Sequence, residues 1–163
     1  MTTVAWDGTT LAADTQASAG GTLLVANKIA SVGDSLVGFS GNLADGNAFV
    51  EWLRAKYNSP TKQIPYPKMR NLRALVIDKD RSLQLYQDES EHPENHNLRM
   101  WVAGTGGDYA LAAMKLGKSA TEAVQLASEL DIDTGVAIQS LTFERLTIEV
   151  TKIIPDKYPL YKF

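Results

Sequence analysis

Two hairpins are predicted near the start of the chain. Alternating apolar and polar positions predict strands on either side of two-residue turns, whose residues tolerate the positive φ angles of tight hairpins. The predicted strands are 4–6, 9–13, 23–32 and 35–39, and the turns are Asp7-Gly8 and Gly33-Asp34. With Asp7-Gly8 as the loop, Thr2 pairs with Ala13, and Asp14 falls at the same end of the hairpin.

Helical and strand periodicities then follow one another through the rest of the chain. Apolar spacing and capping signals predict helices at 43–57 and 108–116, and a third that follows Ser119, the first residue of a capping box. Further predictions are strands at 72–77, 83–86, 100–103, 136–140 and 145–152, a polar loop at 89–97 and a proline-bearing tail.

The order of these elements predicts an α+β fold in a single domain, residues 1–163. The strand at 72–77 has apolar side chains on both of its faces, so both faces must be buried against other elements. Since the helices are few, we expect two stacked sheets enclosed by helices.

Charge and hydropathy narrow the function classes. A net charge of -3 and a pI near 5.4 disfavour a nucleic-acid binder, which needs a concentrated basic face. No segment approaches the roughly 18 apolar residues of a membrane helix, and no signal peptide is recognised. We therefore expect a cytoplasmic protein whose partners include neither nucleic acid nor membrane.

The numbers and positions of cysteine and histidine limit which catalytic groups the protein can use. The chain has no cysteine, which removes thiolate nucleophiles and thiolate metal sites. Its two histidines, His92 and His96, both fall in the predicted polar loop, where a solvated role is the more common one. If the protein is a hydrolase, its base is then a carboxylate, a lysine or the amino group of the chain itself.

Thr2 stands where such an amino group would be used. We expect Met1 to be removed, which makes Thr2 the first residue of the mature chain. An N-terminal threonine carries a nucleophilic hydroxyl and a base on one residue, because its free α-amine accepts the hydroxyl proton. That amine titrates at about 7.7 to 8.0, close to neutrality.

Several short segments, in order, resemble proteasome β subunits and the bacterial HslV peptidase. They are Thr2-Thr3-Val4, Leu11-Ala12-Ala13-Asp14, Ala26-Asn27-Lys28-Ile29, Gly38-Phe39-Ser40-Gly41-Asn42-Leu43-Ala44-Asp45, Gly104-Thr105-Gly106-Gly107-Asp108-Tyr109-Ala110 and Asp131-Ile132-Asp133-Thr134-Gly135. The resemblance implies the four-layer αββα sandwich of N-terminal-nucleophile hydrolases.

The resemblance also implies roles for the matching positions. Thr2 would be the nucleophile, Lys28 the ammonium that keeps the α-amine neutral, and Asp14 its carboxylate partner. The backbone N–H of Gly41 would bind the oxyanion. The remaining candidates would orient the amine and the attacking water, and they are Thr105, Asp131 and Thr134.

Some of these positions also fit ordinary roles. Asp14 could cap a turn, Lys28 could be a surface lysine, and Thr105 stands where the family usually has serine. Asp131 and Asp133 compete for one role, and the spacing of Asp131 from Thr134-Gly135 favours Asp131.

The resemblance implies a threonine endopeptidase that cleaves unfolded polypeptides without a metal or an organic cofactor. It further implies a ring-forming homo-oligomer and a possible ATPase unfoldase as partner. Two alternatives remain: a catalytically silent scaffold or ring component, motivated by Met1 and by a first hairpin about four residues shorter than is usual, and an N-terminal-nucleophile amidase acting on a small amide.

Overall fold

A computed structural model describes residues 2–153 of the chain, with side chains placed for residues 2–150. Its helices are α1 (Leu43–Asn58), α2 (Gly107–Lys115) and α3 (Ala120–Leu130). Its strands are β1 (Val4–Trp6), β2 (Thr10–Asp14), β3 (Gln16–Ala19), β4 (Thr22–Val25), β5 (Ile29–Val32), β6 (Ser35–Gly41), β7 (Leu72–Ile77), β8 (Leu83–Gln87), β9 (Glu94–His96), β10 (Trp101–Ala103), β11 (Ala137–Thr142) and β12 (Glu149–Ile153).

The strands form two five-stranded antiparallel sheets and one separate hairpin. The first sheet has the order β10-β1-β2-β11-β12, and the second has the order β5-β6-β7-β8-β9. Strands β3 and β4 pair only with each other. The two large sheets stack, with α2 and α3 covering the first and α1 covering the second. This is the four-layer αββα sandwich, and the α+β prediction is confirmed.

Alternation along β1 shows how the sequence builds these layers. Val4 and Trp6 point into the cluster between the two sheets, where they meet Leu36 and Leu75 of the second sheet. Ala5 points the other way, into the cluster under α2 and α3. A strand buried on both faces reads as a continuous apolar run, which is why β1 and β7 have few polar residues.

The helix ends follow their capping signals. The Asn42 side chain accepts the backbone N–H of Ala44 at 2.8 Å and begins α1. The capping box predicted at Ser119 is present, with Glu122 accepting the N–H of Ser119 at 2.9 Å. Within residues 2–153, none of the helices combines the length and apolar character needed to cross a bilayer.

The predicted register of the first hairpin is wrong. The turn lies one residue later than predicted, so the pairing between the two strands changes by two residues. Ala13 lies opposite Val4 rather than Thr2, and Asp14 follows opposite Thr3, whose carbonyl accepts the Asp14 N–H at 3.2 Å. The cause is Asp7, whose carboxylate accepts the N–H groups of residues 9 and 10 at 2.8 Å and so places the turn after itself. Because side chains alternate faces with a period of two, a change of two residues in the pairing leaves each side chain on its predicted face.

The prediction of one strand over 23–32 is also wrong. The chain leaves the β3–β4 hairpin after Val25 and starts β5 at Ile29, in a different sheet. Residues 26–28 connect β4 to β5, and Lys28, the last of them, is buried. Strand β3 was not predicted, because Gln16–Ala19 contains only small or polar residues and none of the β-branched or aromatic residues that favour strands.

Two later predictions need smaller corrections. The segment predicted as a loop at 89–97 contains β9, which extends the second sheet beyond β8. The strand predicted at 145–152 starts only at Glu149, because Arg145 closes a turn with Thr142. The proline-bearing tail from residue 154 onward lies outside the described residues.

Candidate active site

Thr2 lies at the start of β1, buried against the turn that precedes α2. Its side chain and backbone are only 4% exposed. Gly104 passes so close to it that a Cβ on Gly104 would lie 1.3 Å from the Thr2 carbonyl oxygen. Gly104 also has a φ of +93°, which L side chains rarely adopt. The sequence therefore needs glycine there for Thr2 to be held in place.

Asp14 is the polar centre of the site, fully buried at the end of β2. One carboxylate oxygen accepts the Thr3 N–H at 2.9 Å and the Lys28 ammonium at 3.0 Å. The other accepts the N–H of Gln16 at 3.1 Å and that of Gly135 at 2.9 Å. The carboxylate thus joins the start of β1, the β2–β3 connection and the segment before β11.

Lys28 is 3% exposed and reaches Asp14 from the connection between β4 and β5. Its ammonium also donates to the backbone carbonyl of Gln16. Burial lowers the pKa of Lys28 below its ordinary value, against the opposing attraction of Asp14. Burial likewise raises the pKa of Asp14, against the opposing effects of Lys28 and of the N–H groups of Thr3 and Gly135. An ammonium with a lowered pKa gives up its proton more readily than a solvated one.

Gly41 ends β6 immediately before α1. Its φ is +107°, and an added Cβ would lie 2.2 Å from the carbonyl oxygen of Asn71. The same carbonyl accepts the N–H of Asn42 at 2.8 Å, which fixes the turn into the helix. Position 41 therefore requires glycine for both conformation and space.

Hydroxyl groups connect the other predicted residues into a chain. Asp131, at the end of α3, accepts the hydroxyls of Thr105 and Thr134 on one carboxylate oxygen, each at 2.6 Å. The Thr134 hydroxyl is also 2.6 Å from the Thr3 hydroxyl, next to Thr2. Of the competing pair, Asp131 holds this position, while Asp133 contributes its backbone N–H to the Asp131 carboxylate at 3.3 Å.

A cavity of about 330 Å³ opens onto these groups. Thr2, Lys28 and Gly41 line its floor. Its walls come from β3 and β4 on one side and from the β6–α1 turn on the other, with Ala17, Leu24, Phe39 and Leu43 as apolar members. A threonine, a buried lysine and a backbone turn thus line one cavity that has both polar and apolar residues in its lining.

Comparison with known proteins finds a family likeness over part of the chain. Residues 2–79, which are 78 of the 163 residues, match the family model described as "Proteasome subunit", and this span contains Thr2, Asp14, Lys28 and Gly41. Over this span the chain is similar to proteasome subunits. No curated protein matches the sequence.

Solved structures show the same fold. A Thiobacillus denitrificans protein named BPH, in complex with epoxomicin, is 17% identical with a TM-score of 0.61, over 93% of this chain and 98% of that one. A second BPH structure is 19% identical with a TM-score of 0.57, over 95% and 99%. Eukaryotic HslV from Trypanosoma brucei is 18% identical with a TM-score of 0.61, over 86% and 98%.

Sequence reasoning missed three contributors to the candidate site. Thr3 supplies an N–H to Asp14 and a hydroxyl to Thr134, Gly104 leaves room for Thr2, and Gly135 supplies an N–H to Asp14. The run of glycines around Thr105 was the available signal for Gly104. Thr3 and Gly135 gave no signal, because their role depends on the register that was predicted wrongly.

The histidines lie away from this site. His96 is in β9, 3.1 Å from the carboxylate of Glu94, and His92 lines a separate cavity. Among the described residues, no three carboxylate or imidazole side chains come together as a metal site.

Proposed function

We propose that the protein is a threonine endopeptidase whose nucleophile is Thr2, exposed by removal of Met1. The observation that carries the proposal is the buried Lys28–Asp14 ion pair beside Thr2, at the base of a cavity. Burying two charges is costly, so a lysine held in this place suits a chemical role better than a purely structural one.

The reaction follows from these groups. The Thr2 Oγ attacks the scissile carbonyl carbon, and the free α-amine of Thr2 takes the hydroxyl proton. Lys28 holds positive charge nearby, which keeps that amine neutral at physiological pH. The Gly41 N–H binds the oxyanion of the tetrahedral intermediate, and a single donor of this type is worth about 3 kcal/mol.

Breakdown of the intermediate uses the same amine as an acid. The protonated α-amine gives its proton to the leaving amine, and the substrate acyl group remains on the Thr2 Oγ as an ester. Water, activated by the amine, then hydrolyses that ester. The hydroxyls of Thr105 and Thr134, both on Asp131, orient the amine and the water.

The substrate is an unfolded polypeptide, and the working form is a ring of identical subunits. The cavity supports binding of a peptide beside Thr2, since residues of β3, of β4 and of the β6–α1 turn line it together with Thr2. The epoxomicin complex of the BPH structure supports a shared type of site. An ATPase unfoldase and a cytoplasmic location complete the proposal.

The test combines labelling with turnover. Intact mass and N-terminal sequencing of protein purified from cells should show a chain that starts at Thr2. A threonine-directed epoxyketone should add to that residue, and peptide turnover should fall by at least about a hundredfold in Thr2→Ala and Lys28→Ala.

The other outcomes separate the alternatives. A chain that keeps Met1 and does not react with the epoxyketone is a silent ring component, and the proposal fails. Turnover of small amides, with none of unfolded casein or of peptides, identifies an amidase instead.

A further inference from the structure

A second cavity adjoins the candidate site on its far side. It has a volume of about 370 Å³, and one of its walls consists of Ser40, Gly41, Gly104 and Thr105. Ser40 and Gly41 also line the first cavity, so the two spaces meet at the β6 end that carries the oxyanion donor. A peptide attacked by Thr2 would extend into both.

Two arginines also line this cavity and are called its arginine wall. Arg70 precedes β7 and Arg73 lies within it, and both side chains are exposed. Their backbone is firmly placed. The Arg70 N–H donates to the Asp45 carboxylate at 3.0 Å, and Arg73 is paired in the sheet between Ser40 and Gln87.

Neither guanidinium has an anionic partner within residues 2–150. Asp88 lines the same cavity, but its carboxylate accepts the Leu72 N–H at 2.9 Å. Asp45, nearby, is occupied by the N–H groups of Arg70 and Asn71. The arginine wall therefore offers five N–H donors per guanidinium to a ligand, in the planar arrangement that suits carboxylates.

The direction of the peptide follows from the proposed chemistry. The leaving amine takes its proton from the Thr2 α-amine, so it must lie on the side of that amine. In the proposed mechanism Thr105 helps to orient that amine, and Thr105 lines the second cavity and not the first. The second cavity therefore receives the part of the substrate that is C-terminal to the scissile bond.

We propose that Arg70 and Arg73 form a subsite that prefers an acidic residue, Asp or Glu, within the first few positions after the scissile bond. This inference rests on the proposed function and adds a substrate preference to it. An exposed guanidinium–carboxylate pair is worth a modest amount, so each arginine should contribute about two- to fivefold.

The experiment compares three internally quenched fluorogenic peptides with the processed, assembled protein. The peptides share one sequence before the scissile bond and carry Glu, Gln or Lys at each of the two positions after it, with the cleavage site confirmed by mass spectrometry. We expect kcat/KM in the order Glu, Gln, Lys. The Glu-to-Gln ratio should fall as salt increases, because screening weakens exposed charge pairs.

Charge variants assign the preference to the two arginines. Arg70→Gln and Arg73→Gln should each lower the Glu-to-Gln ratio about two- to fivefold. The double variant Arg70→Glu/Arg73→Glu should reverse the order, so that the Lys peptide becomes the best substrate. The matched control is Arg99→Gln, an equal change of charge at an exposed arginine that lines neither cavity, and it should keep the wild-type ratio.

Three results would overturn the inference, and they are distinguishable. Thr2-dependent cleavage of all three peptides at equal rates, or a Glu preference that Arg70→Glu/Arg73→Glu leaves intact, refutes the arginine subsite and leaves the peptidase standing. No cleavage of any peptide, together with no labelling of Thr2, refutes both proposals.

Discussion

At the scale of single residues, the site depends on one buried ion pair. Asp14 accepts four hydrogen bonds, from Lys28 and from three backbone N–H groups, and both partners are almost completely buried. Such a pair need not add stability over an apolar replacement, but removing one partner leaves an uncompensated charge. The pair therefore ties the chemistry of the site to the stability of the fold.

We predict that Asp14→Ala lowers the free energy of unfolding by about 3–5 kcal/mol, because it strands the Lys28 ammonium and three N–H groups. Urea denaturation of wild type and variant measures the difference. The control is Glu51→Ala, which removes an exposed partner of Arg54 at 2.6 Å and should cost about 0.5 kcal/mol or less. Equal losses in the two variants would contradict the assignment of Asp14 as the buried anchor.

The lowered pKa of Lys28 predicts the alkaline side of the pH profile. As pH rises, Lys28 loses its proton, and burial makes this happen below its ordinary value of 10.5. We therefore expect kcat/KM to fall on the alkaline side below pH 10.5. On the acid side it should fall as the α-amine, ordinarily at about 7.7 to 8.0, becomes protonated.

Lys28→Arg tests that assignment. A guanidinium stays charged throughout this range, so the alkaline fall should disappear even though the absolute rate is lower. A fall at the same pH in wild type and Lys28→Arg would show that another group titrates there.

At the scale of elements, glycines control how closely the strands and turns approach Thr2. Gly104 and Gly41 both have positive φ angles, and both would place a Cβ against backbone atoms. Backbone atoms cannot move aside as a side-chain tip can, so these contacts determine the positions of Thr2 and of the Gly41 N–H.

We predict that Gly104→Ala abolishes peptide turnover and destabilises the protein by more than about 3 kcal/mol, since it combines overpacking with a strained φ. The matched control is Gly117→Ala at the end of α2, where φ is +92° and no atom lies within 4 Å of an added Cβ. That variant should cost about 1–2 kcal/mol and keep its activity. Thermal unfolding and peptide turnover measure both, and equal behaviour of the two variants would contradict the prediction.

Elements were predictable from the sequence where their signals were local. The cap at Asn42, the capping box at Ser119 and the hairpin turn at Gly33 all depend on residues within four positions of one another. The register of the first hairpin was not predictable from the turn dipeptide. It depends on Asp7, whose second carboxylate oxygen also accepts the N–H of Ala120 at 2.8 Å, at the start of a helix 113 residues away in sequence.

At the scale of the whole molecule, the β3–β4 hairpin stands apart from both large sheets. Every residue of β4 is exposed, including Leu23 at 60% and Val25 at 70%. Leu23 and Val25 lie on one face of the strand, while Leu24, on the other, lines the first cavity. Apolar side chains gathered on an exposed hairpin favour a contact with another subunit.

We predict that Leu23→Asp/Val25→Asp reduces the assembly to smaller species, because charges cannot be buried without partners at such a contact. Light scattering coupled to size-exclusion chromatography measures the mass. The control is Leu98→Asp, at a leucine that is 47% exposed outside this hairpin. An unchanged mass in the hairpin variant would place the subunit contact elsewhere.

The sequence by itself determined the three helices, the strands with a clear apolar pattern, the α+β class and the candidates Thr2, Asp14, Lys28 and Gly41. These follow from local periodicity, capping and turn chemistry, and from family motifs that are contiguous in the chain. The exclusion of thiolate chemistry followed from composition alone.

Only the tertiary structure decided which groups meet. The Thr3 and Thr134 hydroxyls are 131 positions apart in sequence, and Arg70 and Thr105 line one cavity that no local pattern marks. The physical reason is that a strand's register and the stacking of layers are fixed by burial summed over many distant side chains. A short polar residue such as Asp7 can therefore shift a whole hairpin without changing any local preference.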